Sequence, residues 1–182
     1  MKIPQNAKRV FKGIIFDVYH WEQEMFDGTT ETFEMLKRVN TIEIIATSGD
    51  KILLSHQSQP NKHDYYSLFG GRAEENEEPL VTAKRELLEE SGLTSKDWEL
   101  FKTYTPVHKI DWEIHTFIAR DCKKVKEQNL DAGEKIEILE CTFDEFIELV
   151  VSDKYWGSEL VVDILKMKDA GSLEEFRKKL FI

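Results

Sequence analysis

Apolar residues come in short blocks along this chain, and the spacing within each block predicts its element. Residues 13–26 are rich in Ile, Val, Phe, Tyr and Trp and read as a strand. Asp27-Gly28 then marks a tight turn, because Gly accepts the positive φ such turns need, and residues 29–36 return. A second hairpin joins the β-branched block 41–46 to 51–57 across Ser48-Gly49-Asp50. After a polar loop at 61–64, residues 65–69 make a short strand that ends at Gly70-Gly71. Residues 100–104, 112–119 and 136–143 are the remaining strand candidates.

Helical spacing appears in three places. Pro79–Ser91 carries Pro at its start and Gly92 just beyond its end. Thr142 with Glu145 forms a capping box ahead of Phe146, Ile147, Leu149 and Val150. From 158 onward two helices are expected, broken at Ala170-Gly171, the second opened by a Ser172/Glu175 box. Strands around a central helix with helices gathered at the end predict an α+β fold, an α/β/α sandwich on a mixed sheet. Residues 1–38 would form an N-terminal antiparallel β subdomain and 39–182 the main domain.

The 182 residues are 41% hydrophobic, enough for a sizeable core. A net charge of −10 opposes nonspecific nucleic-acid binding and suits a chain that recruits divalent cations. Cys122 and Cys141 have no metal-ligand spacing and are expected as buried free thiols of a cytoplasmic protein. The first ten residues lack the apolar stretch of a signal peptide, and no run is long enough to span a membrane.

The chemistry concentrates in Gly70 to Leu93, GGRAEENEEPLVTAKRELLEESGL. At 100° per residue, Leu80, Ala83, Leu87 and Ser91 share one side of the helix, widened by Leu88. Glu86 and Glu90 stack four apart at the border of that stripe, with Glu89 further toward solvent. Three carboxylates in the last turn repel one another and meet the negative end of the macrodipole. A bound Mg²⁺ would remove that penalty, and Arg85 is placed to pair with Glu89. A plain solvated acidic face is the other reading.

Gly71, Glu77, Arg85, Glu86, Leu87, Glu89, Glu90, Gly92 and Leu93 fill the fixed positions of G-x5-E-x7-R-E-U-x-E-E-x-G-U, where U is a bulky aliphatic. In these residues the chain resembles the Nudix hydrolases, and in its surroundings their ADP-ribose and nucleotide-sugar pyrophosphatase branch. The resemblance implies a Nudix-type sandwich and Mg²⁺ (or Mn²⁺) held by Glu86, Glu89, Glu90 and the Gly70 carbonyl. It implies Arg85 and Glu77 as the loop-to-helix tie, and Glu89, Glu90 or Glu134 as base, Glu134 standing in Gly133-Glu134-Lys135-Ile136-Glu137. It also implies a nucleotide-derived substrate and a homodimer built through the N-terminal subdomain.

Arg72 and Gln57 are candidate substrate contacts. Tyr19, Trp21, Phe26 and Trp112 are candidate stacking aromatics, although strand aromatics usually serve the core. The chain departs from the branch in two stretches. His56-Gln57-Ser58-Gln59-Pro60 lacks its arginines, and Ser67-Leu68-Phe69-Gly70-Gly71 stands where it has Glu-Leu-Pro-Ala-Gly. Hydrolysis of dinucleoside polyphosphates or nucleoside triphosphates, or nucleotide sensing without cleavage, are the alternatives. Isomerase chemistry is disfavoured because neither cysteine lies in an active-site motif.

Overall fold

A computed structural model describes residues 2–181. Twelve strands and four helices occur in chain order: β1 (Lys8–Lys12), β2 (Asp17–Glu24), β3 (Thr30–Lys37), β4 (Thr41–Ser48), β5 (Lys51–Ser58), β6 (Tyr65–Ser67), α1 (Pro79–Ser91), β7 (Leu93–Thr94), β8 (Asp97–Tyr104), β9 (Ile110–Asp111), β10 (Ile114–Arg120), β11 (Lys123–Lys124), β12 (Lys135–Cys141), α2 (Phe143–Val150), α3 (Ser158–Ala170) and α4 (Leu173–Leu180).

The main sheet runs β12-β5-β4-β10-β8, with β6 added beside β5. It is mixed: β10 lies parallel to β4, and the other pairs are antiparallel. Alternation along β4 and β5 sends side chains to both faces, and both faces are covered. On one, Ile42, Ile44, Ala46 and Leu53 pack with Ala83 and Leu87 of α1 and with Phe117 and Phe69. On the other, Ile45, Ile52, Leu54 and Ile118 pack under Phe146, Leu160, Ile164 and Phe176 of α2, α3 and α4. This is the expected α/β/α sandwich.

The N-terminal sheet, β1-β2-β3-β9, differs from expectation in detail. Residues 13–26 are not one strand. The chain folds back at Gly13, whose N–H bonds to the Phe16 carbonyl at 3.1 Å, so β1 becomes a separate strand. A Cβ at Gly13 would sit 2.2 Å from that carbonyl oxygen, so the turn needs glycine. The Asp27-Gly28 turn is present, with Gly28 at φ 83. The subdomain is knitted to the rest by β9, which pairs parallel with the end of β3.

The strand expected at 112–119 starts at Ile114, and the one expected at 136–143 ends at Cys141, where Thr142 caps α2 with the full box to Glu145. The box expected at Ser172 is absent. Its N–H bonds instead to Met167 O at 2.9 Å, behind Gly171 at φ 68. That is a six-to-one closure of α3, so the serine is spent ending one helix rather than starting the next. Cys122 and Cys141 are buried free thiols. Among the described residues, no helix is long and apolar enough to cross a membrane.

Candidate active site

The geometry begins with backbone. Phe69 and Gly71 face β4: Phe69 O accepts from Ile44 N at 2.8 Å, and Gly71 O from Ile42 N at 2.9 Å. In an extended segment the residue between them faces the other way. The Gly70 N–H therefore points from the sheet toward α1 and donates to Glu90 Oε2 at 2.7 Å. Among the described residues nothing donates to the Gly70 carbonyl. Gly70 is sterically required, and Gly71 keeps space beside Glu86. Gly70 has φ 144, and a Cβ there would be 2.0 Å from Ile42 O. A Cβ on Gly71 would be 2.6 Å from the Glu86 carboxylate.

α1 is set down on this strand end as its sequence predicts. Pro79 opens it, Gly92 ends it at φ 72 with its N–H on Leu88 O, and Ala83, Leu87 and Ser91 are buried. Leu80, expected on the same stripe, is exposed because it lies in the first turn, beyond the packed part. The three glutamates differ in burial as expected: Glu90 is buried, Glu86 nearly so, and Glu89 keeps 37% of its side chain in solvent.

Arg85 ties the cluster together. Its Nε and Nη2 grip both oxygens of Glu77 at 3.1 and 3.0 Å, its Nη1 reaches Glu86 at 2.8 Å and Glu89 at 3.1 Å, and Nη2 donates to the Arg72 carbonyl at 3.2 Å. One guanidinium thus closes the loop 72–77 onto the helix.

The charges answer to these surroundings. Hydrogen bonds from Arg85 hold Glu77 down to about 2. Burial pushes Glu90 up to about 8; the Gly70 N–H opposes this, and the charges of Glu86, Glu134 and Glu89 reinforce it. Burial also raises Glu86, against the pull of Arg85. Glu134 is raised by burial and then by Asp131. An uncompensated buried carboxylate beside two others is a destabilising arrangement that a cation would relieve.

The last turn of α1 would leave its carbonyls unsatisfied, and the following loop takes them up. Val125 N bonds to Gly92 O, Asn129 N to Glu89 O, and Gln128 Nε2 to Glu90 O and Ile136 O. The loop is thereby pinned to the helix end, and it delivers Glu134, just before β12, to the same place. A cleft of about 510 Å³ results, lined by Gly70, Arg72, Arg85, Glu86, Glu89, Glu90 and Glu134.

The donor set is all oxygen, which fits a hard divalent cation. Glycine at 71 leaves room beside Glu86, and Glu90 is buried with a single hydrogen bond. As they stand, the acids do not form a closed cage: among the described residues no three acidic, histidine or cysteine side chains converge on one point. Arg85 sits between Glu86 and Glu89, and Gly70 occupies one oxygen of Glu90.

Residues 36–160, more than half the chain, match the NUDIX domain. The chain belongs to the Nudix hydrolase family. It is 27% identical to an ADP-ribose pyrophosphatase of Bacillus subtilis (strain 168), over 90% of this chain and 91% of the relative. It is also 27% identical to a methanol dehydrogenase activator of Bacillus methanolicus, over 91% and 92%. A solved structure described as an ADP compounds hydrolase superposes with a TM-score of 0.72, at 16% identity, over 92% of this chain and 95% of that one, and shows the same fold. Nudix hydrolases generally use divalent cations.

Gly71, Arg85, Glu86, Glu89 and Glu90 of the Nudix box line one cleft together with Glu134, Arg72 and Gln57, while Leu87 and Leu93 pack in the core. Gln57 is buried, and its amide is spent internally: Nε2 donates to Ser55 and Ser67, and Oε1 accepts from the Tyr65 hydroxyl at 2.9 Å. It lines the cleft with its polar atoms already engaged, and it orients Tyr65. Tyr19 and Trp21 do not line the cleft. They lie within the N-terminal sheet, Trp21 buried against Phe33 with its Nε1 on Gln23. Trp112 lies under the Arg38 guanidinium, and Phe26 is fully exposed at the hairpin tip.

Sequence reasoning missed Glu43, Lys62, Tyr65, Asn129, Asp131 and Trp156. For Trp156 a signal existed: an aromatic pair, Tyr155-Trp156, in the polar stretch between two helices. For Glu43 it was a lone carboxylate among the apolar residues of β4.

Proposed function

We propose that this Nudix hydrolase cleaves the pyrophosphate bond of a nucleoside diphosphate joined to a second moiety, of the ADP-ribose or nucleotide-sugar kind, with Mg²⁺ as cofactor and Mn²⁺ as substitute. The observation that carries this is Glu90, buried with one hydrogen bond beside Glu86 and Glu89, in a cleft that also holds Glu134. The pyrophosphatase relative of nearly equal length supports the substrate class.

Glu86, Glu89, Glu90 and the Gly70 carbonyl would hold the cation. When bound, it would neutralise charge on the phosphoryl oxygens and make water a better nucleophile. The protein's own groups do the rest. Arg85 orients Glu86 and Glu89 through Nη1. Glu134, raised above the ordinary carboxylate range by burial, accepts the proton of the attacking water. Arg72, exposed at the cleft edge, contacts a substrate phosphate.

The N-terminal sheet β1-β2-β3-β9 serves as the subunit contact of a homodimer. Its exposed Val10, Phe11, Ile14 and Ile15 support that role, and sedimentation would test it. The buried free thiols fit a cytoplasmic protein, and the charge of −10 fits one that does not bind nucleic acid.

The test is a panel of ADP-ribose, nucleotide sugars, dinucleotides and nucleoside triphosphates with Mg²⁺ or Mn²⁺. Preferential turnover of the first two classes, abolished by chelation and by Glu90→Gln, is expected. Turnover that survives Glu90→Gln would overturn the assignment. A second reading comes from the activator relative: the site serves to regulate a partner enzyme. Tight nucleotide binding with no turnover on the whole panel would favour it.

A further inference from the structure

Of the arginines in the chain, Arg9, Arg85, Arg120 and Arg177 each pair with a carboxylate. Among the described residues the other two, Arg38 and Arg72, have no acidic partner, and they lie close together. In a chain of net charge −10, two adjacent guanidinium groups with no acid between them make a local positive field.

The backbone sets them side by side. Ala73 N donates to Asn40 O at 2.9 Å and Ile42 N to Gly71 O at 2.9 Å, so residues 71–73 run beside 40–42 with Arg72 opposite Thr41. Arg85 holds the same stretch through the Arg72 carbonyl. Arg38 Nη2 donates to Thr41 Oγ1 at 3.3 Å, so Thr41 stands between the two arginines. Burial, and then the charge of Arg72, hold Arg38 below the ordinary arginine value.

Arg38 is positioned without being neutralised. Its guanidinium carbon lies 4.5 Å from the Trp112 ring centroid and 5.6 Å from that of Phe16. Trp112 is fixed in turn by its Nε1 bond to Thr41 Oγ1 at 3.1 Å. These rings attract the cation but carry no counter-charge. Arg38 Nε is buried without an acceptor, the one such side-chain nitrogen or oxygen among the described residues. Stacking occupies the faces of a guanidinium and leaves its edge for an anion.

Arg38 borders a hollow of about 390 Å³ that adjoins the cleft where Asn40 and Ala73 meet Thr41 and Arg72. Two acids of this hollow are already engaged, Glu77 by Arg85 and Asp111 by Lys2. The third, Glu74, is exposed and pairs with neither arginine among the described residues. Two unpaired like charges at the end of a cleft match a dianion. A phosphate monoester is close to doubly charged at neutral pH and offers three acceptor oxygens, whereas a carboxylate would balance only one of the two.

We propose that Arg38 and Arg72 bind a phosphate monoester carried by the second moiety of the substrate, beyond the diphosphate that is cut, and so select phosphorylated substrates. This rests on the pyrophosphohydrolase reading for what is cut. The substrate phosphate at Arg72 is then this monoester, with Arg38 beside it.

The experiment is calorimetry in the presence of chelator, so that no turnover is needed. Ribose 5-phosphate is expected to bind the wild type and ribose not to. Arg38→Gln should weaken ribose 5-phosphate about 10- to 100-fold. Arg38→Lys keeps the charge but loses the planar stack on Trp112, and should recover only part of the affinity. Arg72→Gln, at an exposed position that leaves the core intact, should weaken binding several-fold even if Arg38→Gln fails to fold. Arg177→Gln removes the same charge from α4 and should change nothing. In turnover, ADP-ribose phosphorylated on its far ribose should have a KM several-fold below that of ADP-ribose. Arg38→Gln should erase that difference through KM, with kcat little changed.

Equal binding of ribose and ribose 5-phosphate, or ribose 5-phosphate affinity unchanged in Arg72→Gln or in folded Arg38→Gln, would overturn the phosphate site. An Arg38 dependence seen with diadenosine tetraphosphate and not with ribose 5-phosphate would place the phosphate in a bridging chain and overturn the monoester. If no substrate is hydrolysed but the arginine-dependent binding persists, the hydrolase reading fails and the phosphate site stands. If hydrolysis is robust and indifferent to both the added phosphate and Arg38, the reverse holds.

Discussion

Glu77 and Glu90 are the same side chain at the two ends of one motif, and the structure treats them in opposite ways. Glu77 lies in the loop, gripped by both arms of Arg85, and its carboxyl is held near 2. Glu90 lies at the sheet, buried with one backbone N–H, and is pushed up to about 8. The first is a charge the fold has satisfied. The second is a charge the fold has left wanting a partner. A paired carboxylate holds the scaffold together; a buried, underpaired one is available for chemistry.

Several experiments would break or sharpen that contrast. The largest effect should come from Glu90→Gln, which keeps the hydrogen bond from Gly70 but loses the charge. Turnover should fall on the order of 10²- to 10⁴-fold, while circular dichroism stays native. Next is Gly70→Ala. A Cβ would overlap the Ile42 carbonyl, and φ 144 suits only glycine. A stability loss of about 1–3 kcal/mol or more is expected by urea denaturation, along with loss of the Glu90 contact.

Arg85→Ala should cost about 1–3 kcal/mol, because it strands Glu77 and frees Glu86 and Glu89 together. Its activity should fall further than that of Glu77→Gln, which cuts only the scaffold side of the bridge. Equal activity losses in the two variants would mean that Arg85 serves the scaffold alone.

The smallest effect is a pH dependence. Glu90 is raised in the folded state, from 4.5 to about 8. Its contribution is therefore fully favourable below about 4.5 and is lost as pH rises toward about 8. Glu77 is lowered, so its contribution is present above 4.5 and lost as pH falls toward about 2. In chelator, Glu90→Gln should gain stability relative to wild type across the upper window. Added Mg²⁺ should shrink that gain by stabilising only the wild type. A gain that did not change with pH would refute the buried-charge account.

Much of this was legible in the residue order. The carboxylate helix, its proline start, its glycine end and the graded burial of Glu86, Glu89 and Glu90 all follow from local periodicity, which depends on neighbours three and four residues away. The Asp27-Gly28 turn and the Thr142 cap are equally local. The Ser172 box failed because its serine had two local uses, and closing α3 won. Residues 13–26 misled because Gly13 is a turn residue inside an otherwise strand-like run.

The order of residues was enough to specify the carboxylate face of α1 and the family, since one helix and the short stretches that flank it carry every fixed position of the motif. It could not specify which aromatics share the cleft. In the sequence, Tyr19 and Trp21 are as good candidates for the cleft as Tyr65 and Trp156, and only the last two line it. Only the pairing of 154–156 with β6, and the attachment of the 125–134 loop to the end of α1, bring Trp156 and Glu134 into the cleft with Glu90. Those contacts join segments far apart in the chain, and their free energy comes from packing and hydrogen bonds that no local pattern encodes.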